Sequence, residues 1–267
     1  MGCGSSTGAD GKIRMKRTKL PGMDDIFNEA QKLIDEIYEI QDPIDHALDN
    51  LLYHTGFYKT PCATAHHAMV GIVFAMASKS KGEGVDDMFK ILPQSPFITF
   101  DKTKANGDTA RAIDDLTDYI QALTAANDRI GPMTEKAKSF AEKAPDMPEK
   151  AKDDLGKTDG LGAMDKMKAV KNSASNAKNM AKLPQLVADF KDTVQEALES
   201  VQGGTKELNA KKGGLSDIGK KCSEKGWESA KDCYLECGDE IEVTKEGEKK
   251  FAARQKKKKM RKTTGKK

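Results

Sequence analysis

The first six residues carry the most specific chemical motif of the chain. They read Met-Gly-Cys-Gly-Ser-Ser, which matches the pattern M-G-x-x-x-[ST] with Gly2 as the acceptor and Ser6 at the Ser/Thr position. Removal of Met1 would leave an unhindered glycine amine for a myristoyl group, and the thiol of Cys3 could then take a palmitoyl group at a membrane. A flexible Gly/Ser leader that matches by chance is the alternative. We predict myristoylation of Gly2 and palmitoylation of Cys3.

Two clusters of basic residues could add an electrostatic contact to this anchor. A single myristoyl chain gives marginal binding, on the order of 10⁴ M⁻¹, so stable anchoring needs a second signal. Each basic residue close to an anionic leaflet can contribute about 1 kcal/mol. The predicted anionic-surface-binding residues in the leader are Lys12, Arg14, Lys16, Arg17 and Lys19, and those near the carboxyl end are Lys256, Lys257, Lys258, Lys259, Arg261 and Lys262.

A block of like charge is typical of a solvated interaction tail, and three acidic partners suit the carboxyl-terminal block. These are anionic membrane lipids, the acidic surface of tubulin or another cytoskeletal polymer, and nucleic acid. Nucleic acid is the least favoured because no aromatic residue follows Phe251 and no recognition motif is visible.

Histidine and cysteine residues offer only weak metal-site patterns. All four histidines fall within residues 46–67, and Cys62 with His66 has the i,i+4 spacing that could place two zinc ligands on one helical face. Cysteine and histidine lining a helix interface without metal is the commoner case, so we predict no metal and no cofactor. Three further residues, Cys222, Cys233 and Cys237, are interpreted as small buried hydrophobes or sites of reversible acylation.

No motif with a catalytic mechanism is present, so we predict that the protein is not an enzyme. The segment 151–158 satisfies a permissive phosphate-loop pattern. However, Pro145 and Pro148 occupy the place of the strand that should precede such a loop, and Asp153 and Asp154 would repel phosphate.

The charge is segregated along the chain. Lys and Arg number 45 against 42 Asp and Glu, a formal charge of +3. Residues 1–22 hold five basic residues and one acidic, and residues 245–267 hold twelve and two, so an acidic body lies between two basic ends. Five cysteines are an odd number, and no secretory leader is visible, which indicates a reducing, cytosolic compartment. The longest apolar run, residues 68–77, is about half of the ~20 residues that span a bilayer.

Apolar residues recur at helical spacing through most of the body. Stripes over residues 27–51, 113–130 and 183–201 predict amphipathic helices, and residues 62–79 predict a helix that is central because it is apolar nearly all round. We expect a kink or break near Pro43, a helix end at Gly131-Pro132, and a short helix near residues 86–92. Leu, Ile, Val and Phe make up only about 18% of the chain, so Ala and Met must supply part of a thin core.

Together these patterns predict an all-α fold, an elongated antiparallel helical bundle with flexible basic N- and C-terminal tails. The expected organisation is an acylated basic leader (1–22), a helical bundle (23–238) and a lysine-rich helix and tail (239–267). Within the bundle, hinges are expected near residues 82–107, 131–132, 145–162, 203–204 and 213–214.

Two functions fit this organisation. The favoured one is a lipid-anchored scaffold or adaptor at the cytoplasmic face of a plasma or ciliary membrane, with anionic lipids and other proteins as partners. The alternative is a structural component of a cytoskeletal or ciliary microtubule assembly that binds acidic polymer through its lysine-rich tail.

Overall fold

The computed structural model describes residues 13–91, 98–105, 107–158 and 160–264, with side chains described as far as residue 255. The described chain is helical almost throughout, so the all-α prediction is confirmed. The helices are α1 (Pro21–His54), α2 (Ala65–Lys79), α3 (Gly107–Lys143), α4 (Met147–Lys157), α5 (Ala163–Met180), α6 (Leu183–Lys211), α7 (Leu215–Glu224), α8 (Ala230–Cys237) and α9 (Lys245–Thr264).

Two helices continue through prolines, one where a kink or break was expected near Pro43 and one where a helix end was expected at Gly131-Pro132. Helix α1 contains Pro43 and α3 contains Pro132. A proline inside a helix removes one hydrogen bond at a cost of about 3 kcal/mol. Burial of the residues that follow offsets this cost, because each large side chain contributes about 1.5–3 kcal/mol. Ile44 and Leu51 are buried after Pro43, and Met133 is buried after Pro132.

A small hairpin replaces the short helix predicted near residues 86–92. After a single 3₁₀ turn, Val85–Asp87, strand β1 (Phe89–Ile91) pairs antiparallel with β2 (Ile98–Phe100), with Phe89 opposite Phe100. Phe89 and Ile98 are buried while their neighbours in each strand are exposed. The alternation extends over only three residues per strand, too few to stand out as a strand pattern in the sequence.

The chain forms two compact units. One comprises residues 1–43 and 124–195, and the other comprises residues 44–123 and 196–267. The first unit contains α4 and α5, which pack against each other. Its core relies on methionine and alanine, as the composition predicted, and includes Met23, Ala30, Ala126, Met133, Ala137, Met147, Ala151 and Met180.

Helix α2 is central to the second unit, where it packs against α7 and α8. Most of its residues are buried, in agreement with its uniformly apolar sequence. Two glycines permit the close approach. A Cβ on Gly71 would lie 2.5 Å from the carbonyl oxygen of Ala230, and one on Gly219 would lie 2.5 Å from that of Ala77.

The glycines expected to form a hinge at residues 203–204 lie inside α6 instead. A Cβ on Gly203 would lie 3.1 Å from Nδ1 of His66, and one on Gly204 would lie 2.4 Å from Cε of Met69. Because these positions need a small residue where α6 meets α2, the glycine pair serves packing rather than bending. Gly213 and Gly214 do lie at a helix break, in a 3₁₀ turn between α6 and α7.

Candidate functional site

The part of the leader that the structure describes, residues 13–20, packs against the helical body rather than forming a flexible tail. Thr18 and Leu20 are almost completely buried. The carboxylate of Asp24, in the first turns of α1, accepts hydrogen bonds from the backbone nitrogens of Thr18 at 2.7 Å and Lys19 at 3.0 Å. Lys19 adopts a left-handed conformation with φ 65°, which a residue other than glycine seldom takes up without such support. These bonds fix the turn that leads from the leader into α1.

A row of asparagines on α5 holds the leader backbone. Asn176 accepts from the backbone nitrogen of Lys16 at 2.8 Å and donates to its carbonyl oxygen at 2.7 Å. Asn172 donates to the carbonyl oxygen of Arg17 at 2.8 Å, and Asn179 donates to that of Arg14 at 3.4 Å. An asparagine side-chain amide carries both a donor and an acceptor, so it can hydrogen-bond to the N–H and the C=O of one residue, as a neighbouring β-strand would. The leader therefore runs antiparallel to α5 along one flank of that helix.

Clamping the backbone leaves the basic side chains directed to solvent. Arg14, Lys16, Arg17 and Lys19 are all exposed. Arg17 Nε lies 3.8 Å from Asp24 Oδ2, yet its side chain is 88% exposed, and Lys19 Nζ lies 3.1 Å from Asp165 Oδ2. Such surface pairs contribute 0–1 kcal/mol, so they compete weakly with an external anionic partner. The structure thus presents four of the five predicted basic residues from one fixed segment.

The remaining acylation and leader residues, Gly2, Cys3 and Lys12, lie outside the described part of the chain. The predicted carboxyl-terminal residues, from Lys256 to Lys262, lie within α9, so their backbone is helical rather than an unstructured tail. Strong helix formers such as lysine, alanine and glutamine favour this conformation.

The first half of α9 is anchored to its own unit. Lys250 Nζ lies 2.7 Å from Glu196 Oε2, Arg254 Nε lies 3.6 Å from Asp49 Oδ1, and Gln255 donates to the carbonyl oxygen of Tyr58 at 3.1 Å.

The predicted helical pairing of Cys62 with His66 is wrong. Helix α2 begins at Ala65, so Cys62 lies in the preceding turn with a left-handed φ of 62°, and its thiol is 3.9 Å from the carbonyl oxygen of Thr244. Thr64 is the N-cap of α2, so the helix begins three residues later than expected. Across the described residues, no three His, Cys, Asp or Glu side chains are arranged to hold a metal ion.

His66 instead joins a partly buried polar network that the sequence did not reveal. Its Nε2 lies 2.5 Å from Glu207 Oε2, and its backbone nitrogen donates to Ser200 Oγ at 3.1 Å. The glutamate side chain is only 6% exposed, and Lys211 Nζ lies 3.6 Å from its other oxygen. These contacts tie the first turn of α2 to α6 beside the glycine pair.

The neighbouring His67 is held in its neutral form. Its Nδ1 accepts from the backbone nitrogen of Thr64 at 3.0 Å, which places the ring proton on Nε2. Burial, followed by the adjacent His66, lowers the pKa of His67 to about 4. The ring packs edge-on against Tyr234, with centroids 5.3 Å apart. His67 therefore acts as a helix cap and a core aromatic rather than as an acid near neutral pH.

Three cysteines lie on α7 and α8, the two helices that pack against α2. Cys222 Sγ lies 3.7 Å from Cys237 Sγ, and Cys233 Sγ donates to the carbonyl oxygen of Trp227 at 3.2 Å. Burial raises the pKa of Cys222 and raises that of Cys233 to about 11. Because the thiolate is the reactive form, this environment favours the interpretation of Cys222 and Cys233 as small buried hydrophobes over sites of acylation.

None of the helices in the described residues is long and apolar enough to cross a bilayer. No protein-family model, no curated protein and no solved structure matches this chain.

Proposed function

We propose that this protein is a non-enzymatic, lipid-anchored helical scaffold or adaptor at the cytoplasmic face of a membrane, with myristate on Gly2 and palmitate on Cys3. The supporting observation is the clamped leader. Residues 14–19 are held on the body by their backbone, while Arg14, Lys16, Arg17 and Lys19 are exposed. The acyl chains would supply the apolar part of the anchor and these residues the electrostatic part.

The magnitudes indicate why both parts are needed. One myristoyl chain binds with a constant of about 10⁴ M⁻¹, which is marginal and reversible. Basic residues near an anionic leaflet can add about 1 kcal/mol each, and a second acyl chain makes anchoring stable. A leader fixed before binding loses less conformational freedom on contact than a flexible one would.

The direct test is expression in a eukaryotic cell of the chain with a carboxyl-terminal tag, followed by membrane fractionation and intact-mass measurement. Wild type should carry a myristoyl mass and sediment with membranes. Gly2→Ala should lose the myristoyl mass and shift to the cytosol, while Cys3→Ser should retain myristate and bind reversibly. Gly4→Ala is the matched control, since it changes a neighbouring glycine that is not the acceptor. An unmodified wild-type terminus, or Gly2→Ala that binds membranes as tightly as wild type, contradicts the anchor.

The cytoskeletal alternative is tested in parallel with unacylated protein. That alternative requires cosedimentation with microtubules that is lost when residues 245–267 are removed. If the proposed membrane function is correct, the acylated protein should float with liposomes in the absence of microtubules.

A further inference from the structure

We infer that the outward face of α5 is a second membrane contact, an interfacial helix surface that binds anionic phospholipid beside the clamped leader. This inference deepens the proposed function and depends on it for the presence of a membrane. It concerns a different part of the chain, however, and can be measured on protein without acyl groups.

The apolar part of this surface consists of two methionines. Met164 is 72% exposed and Met167 is 75% exposed, the two largest values among the exposed large hydrophobic residues of the described chain. They lie three residues apart, so they are neighbours on one side of the helix. Transfer of side chains of this size out of water is favourable, and the flexible thioether of methionine adapts to an irregular environment.

Lysines share that side of the helix. Lys168 and Lys171 are exposed and lie four and seven residues after Met164, so the four side chains fall within an arc of about 100°. The buried side of α5 lies opposite and includes Ala169, Ser173 and Ala177. We call Met164, Met167, Lys168 and Lys171 the α5 face. It combines apolar side chains with basic ones, which is the pattern of a helix that lies in the headgroup region.

Charge complementarity selects an anionic lipid surface as the occupant. Residues 163–182 contain five lysines and one acidic residue, Asp165, and that aspartate already pairs with Lys19. The leader runs along the adjacent flank of α5, where Asn172 and Asn176 bind its backbone. Its exposed basic residues therefore extend the positive surface beyond the α5 face. An acidic protein polymer could form ion pairs with the lysines, but it would leave both methionines without an apolar environment.

The experiment measures binding of unacylated full-length protein, made in bacteria, to sucrose-loaded vesicles of phosphatidylserine and phosphatidylcholine. Wild type should bind the mixed vesicles, with affinity falling as salt rises, and should bind pure phosphatidylcholine weakly. The pair Lys168→Gln and Lys171→Gln should lower the partition coefficient about 30-fold, at about fivefold per lysine. The pair Met164→Gln and Met167→Gln should lower it about tenfold, which corresponds to roughly half-burying each side chain.

Matched controls lie in the other unit. Lys206→Gln with Lys225→Gln removes two exposed lysines, and Val243→Gln replaces an apolar residue that is 58% exposed. Both should bind like wild type. A direct sign of insertion is Met167→Trp, whose fluorescence should shift to the blue with phosphatidylserine vesicles relative to the wild-type signal of Trp227.

Three results would overturn the inference: no binding of unacylated wild type to the mixed vesicles, equal binding by the α5-face and control variants, or retention on microtubules in place of vesicles. The tests of the two proposals are separable. Loss of membrane association in Gly2→Ala bears on the acyl anchor alone, whereas the vesicle experiment uses no acyl group.

Discussion

Asn176→Ala should release the leader from α5. This side chain is completely buried and makes two hydrogen bonds to the backbone of Lys16, at 2.8 and 2.7 Å. Alanine preserves the helix but removes both bonds. The leader would then be held by its neighbours, chiefly the bond from Asn172 to Arg17 and the bonds that Asp24 accepts.

Each hydrogen bond contributes a net of about 0.5–1.5 kcal/mol, so the loss should be about 1–3 kcal/mol. That range corresponds to roughly a 5- to 150-fold rise in the population of the open leader, at about 1.4 kcal/mol per factor of ten. Trypsin cleaves after Lys16 and Arg17 only when the segment can enter its cleft as an extended strand. Where opening is fast relative to cleavage, the cleavage rate follows the open population.

The assay follows release of the amino-terminal peptide by mass spectrometry under native conditions. Cleavage after Lys138, an exposed residue within α3, reports on unfolding of the same unit in the same sample. Lys178→Ala, a change at an exposed position of α5, is the control and should leave leader cleavage unchanged. Equal leader cleavage in Asn176→Ala and wild type would refute the clamp. A parallel rise at Lys138 would show that Asn176 stabilises the unit as a whole.

Three further outcomes are expected. Gly71→Ala should destabilise the fold by about 1–3 kcal/mol, because its Cβ would lie 2.5 Å from the carbonyl oxygen of Ala230. Gly156→Ala has open space around it and should stabilise α4 by up to about 1 kcal/mol. Urea unfolding measures both changes in stability. The pKa of His67 is lowered to about 4 in the folded protein, so between about pH 6.5 and 4 the unfolded state binds a proton that the folded state does not. Stability should therefore fall by up to about 1.4 kcal/mol per pH unit as the pH drops through this range. His67→Gln should reduce this slope in thermal melts across the same range. With its pKa raised to about 11, Cys233 should react with iodoacetamide about 100-fold more slowly at pH 8 than a cysteine in a peptide, and comparable rates in peptide mapping would contradict its burial.

The helices are the part of the fold that sequence reasoning predicted well. The stripes over residues 27–51 and 183–201 correspond to α1 and α6, and the fully apolar segment corresponds to the buried α2. Helical periodicity is a local property, so it can be read without knowing what each stripe packs against. The interruptions were predicted less well. Pro132 and the glycines at residues 203–204 have strong local preferences, and tertiary packing overrode them.

The candidate site also combines features that the sequence predicted with features that it could not predict. Exposure of the basic leader residues followed from their charge, and the acylation motif remains a prediction from the first residues alone. The leader clamp could not be foreseen, because Lys16 and Asn176 are 160 residues apart in sequence. The zinc-ligand spacing of Cys62 and His66 assumed a helix that begins three residues later, at Ala65.

The sequence by itself determined the helical character of the body, its reliance on alanine and methionine, and the placement of positive charge at both ends. Composition and short-range periodicity suffice for these features, because they depend on residue type and local spacing and not on contacts with distant segments. Only the tertiary structure decided that the leader lies along α5, that Gly71 and Gly219 admit neighbouring helices, and that His66 pairs with Glu207. Each depends on the approach of segments distant in sequence, and no local pattern encodes that approach.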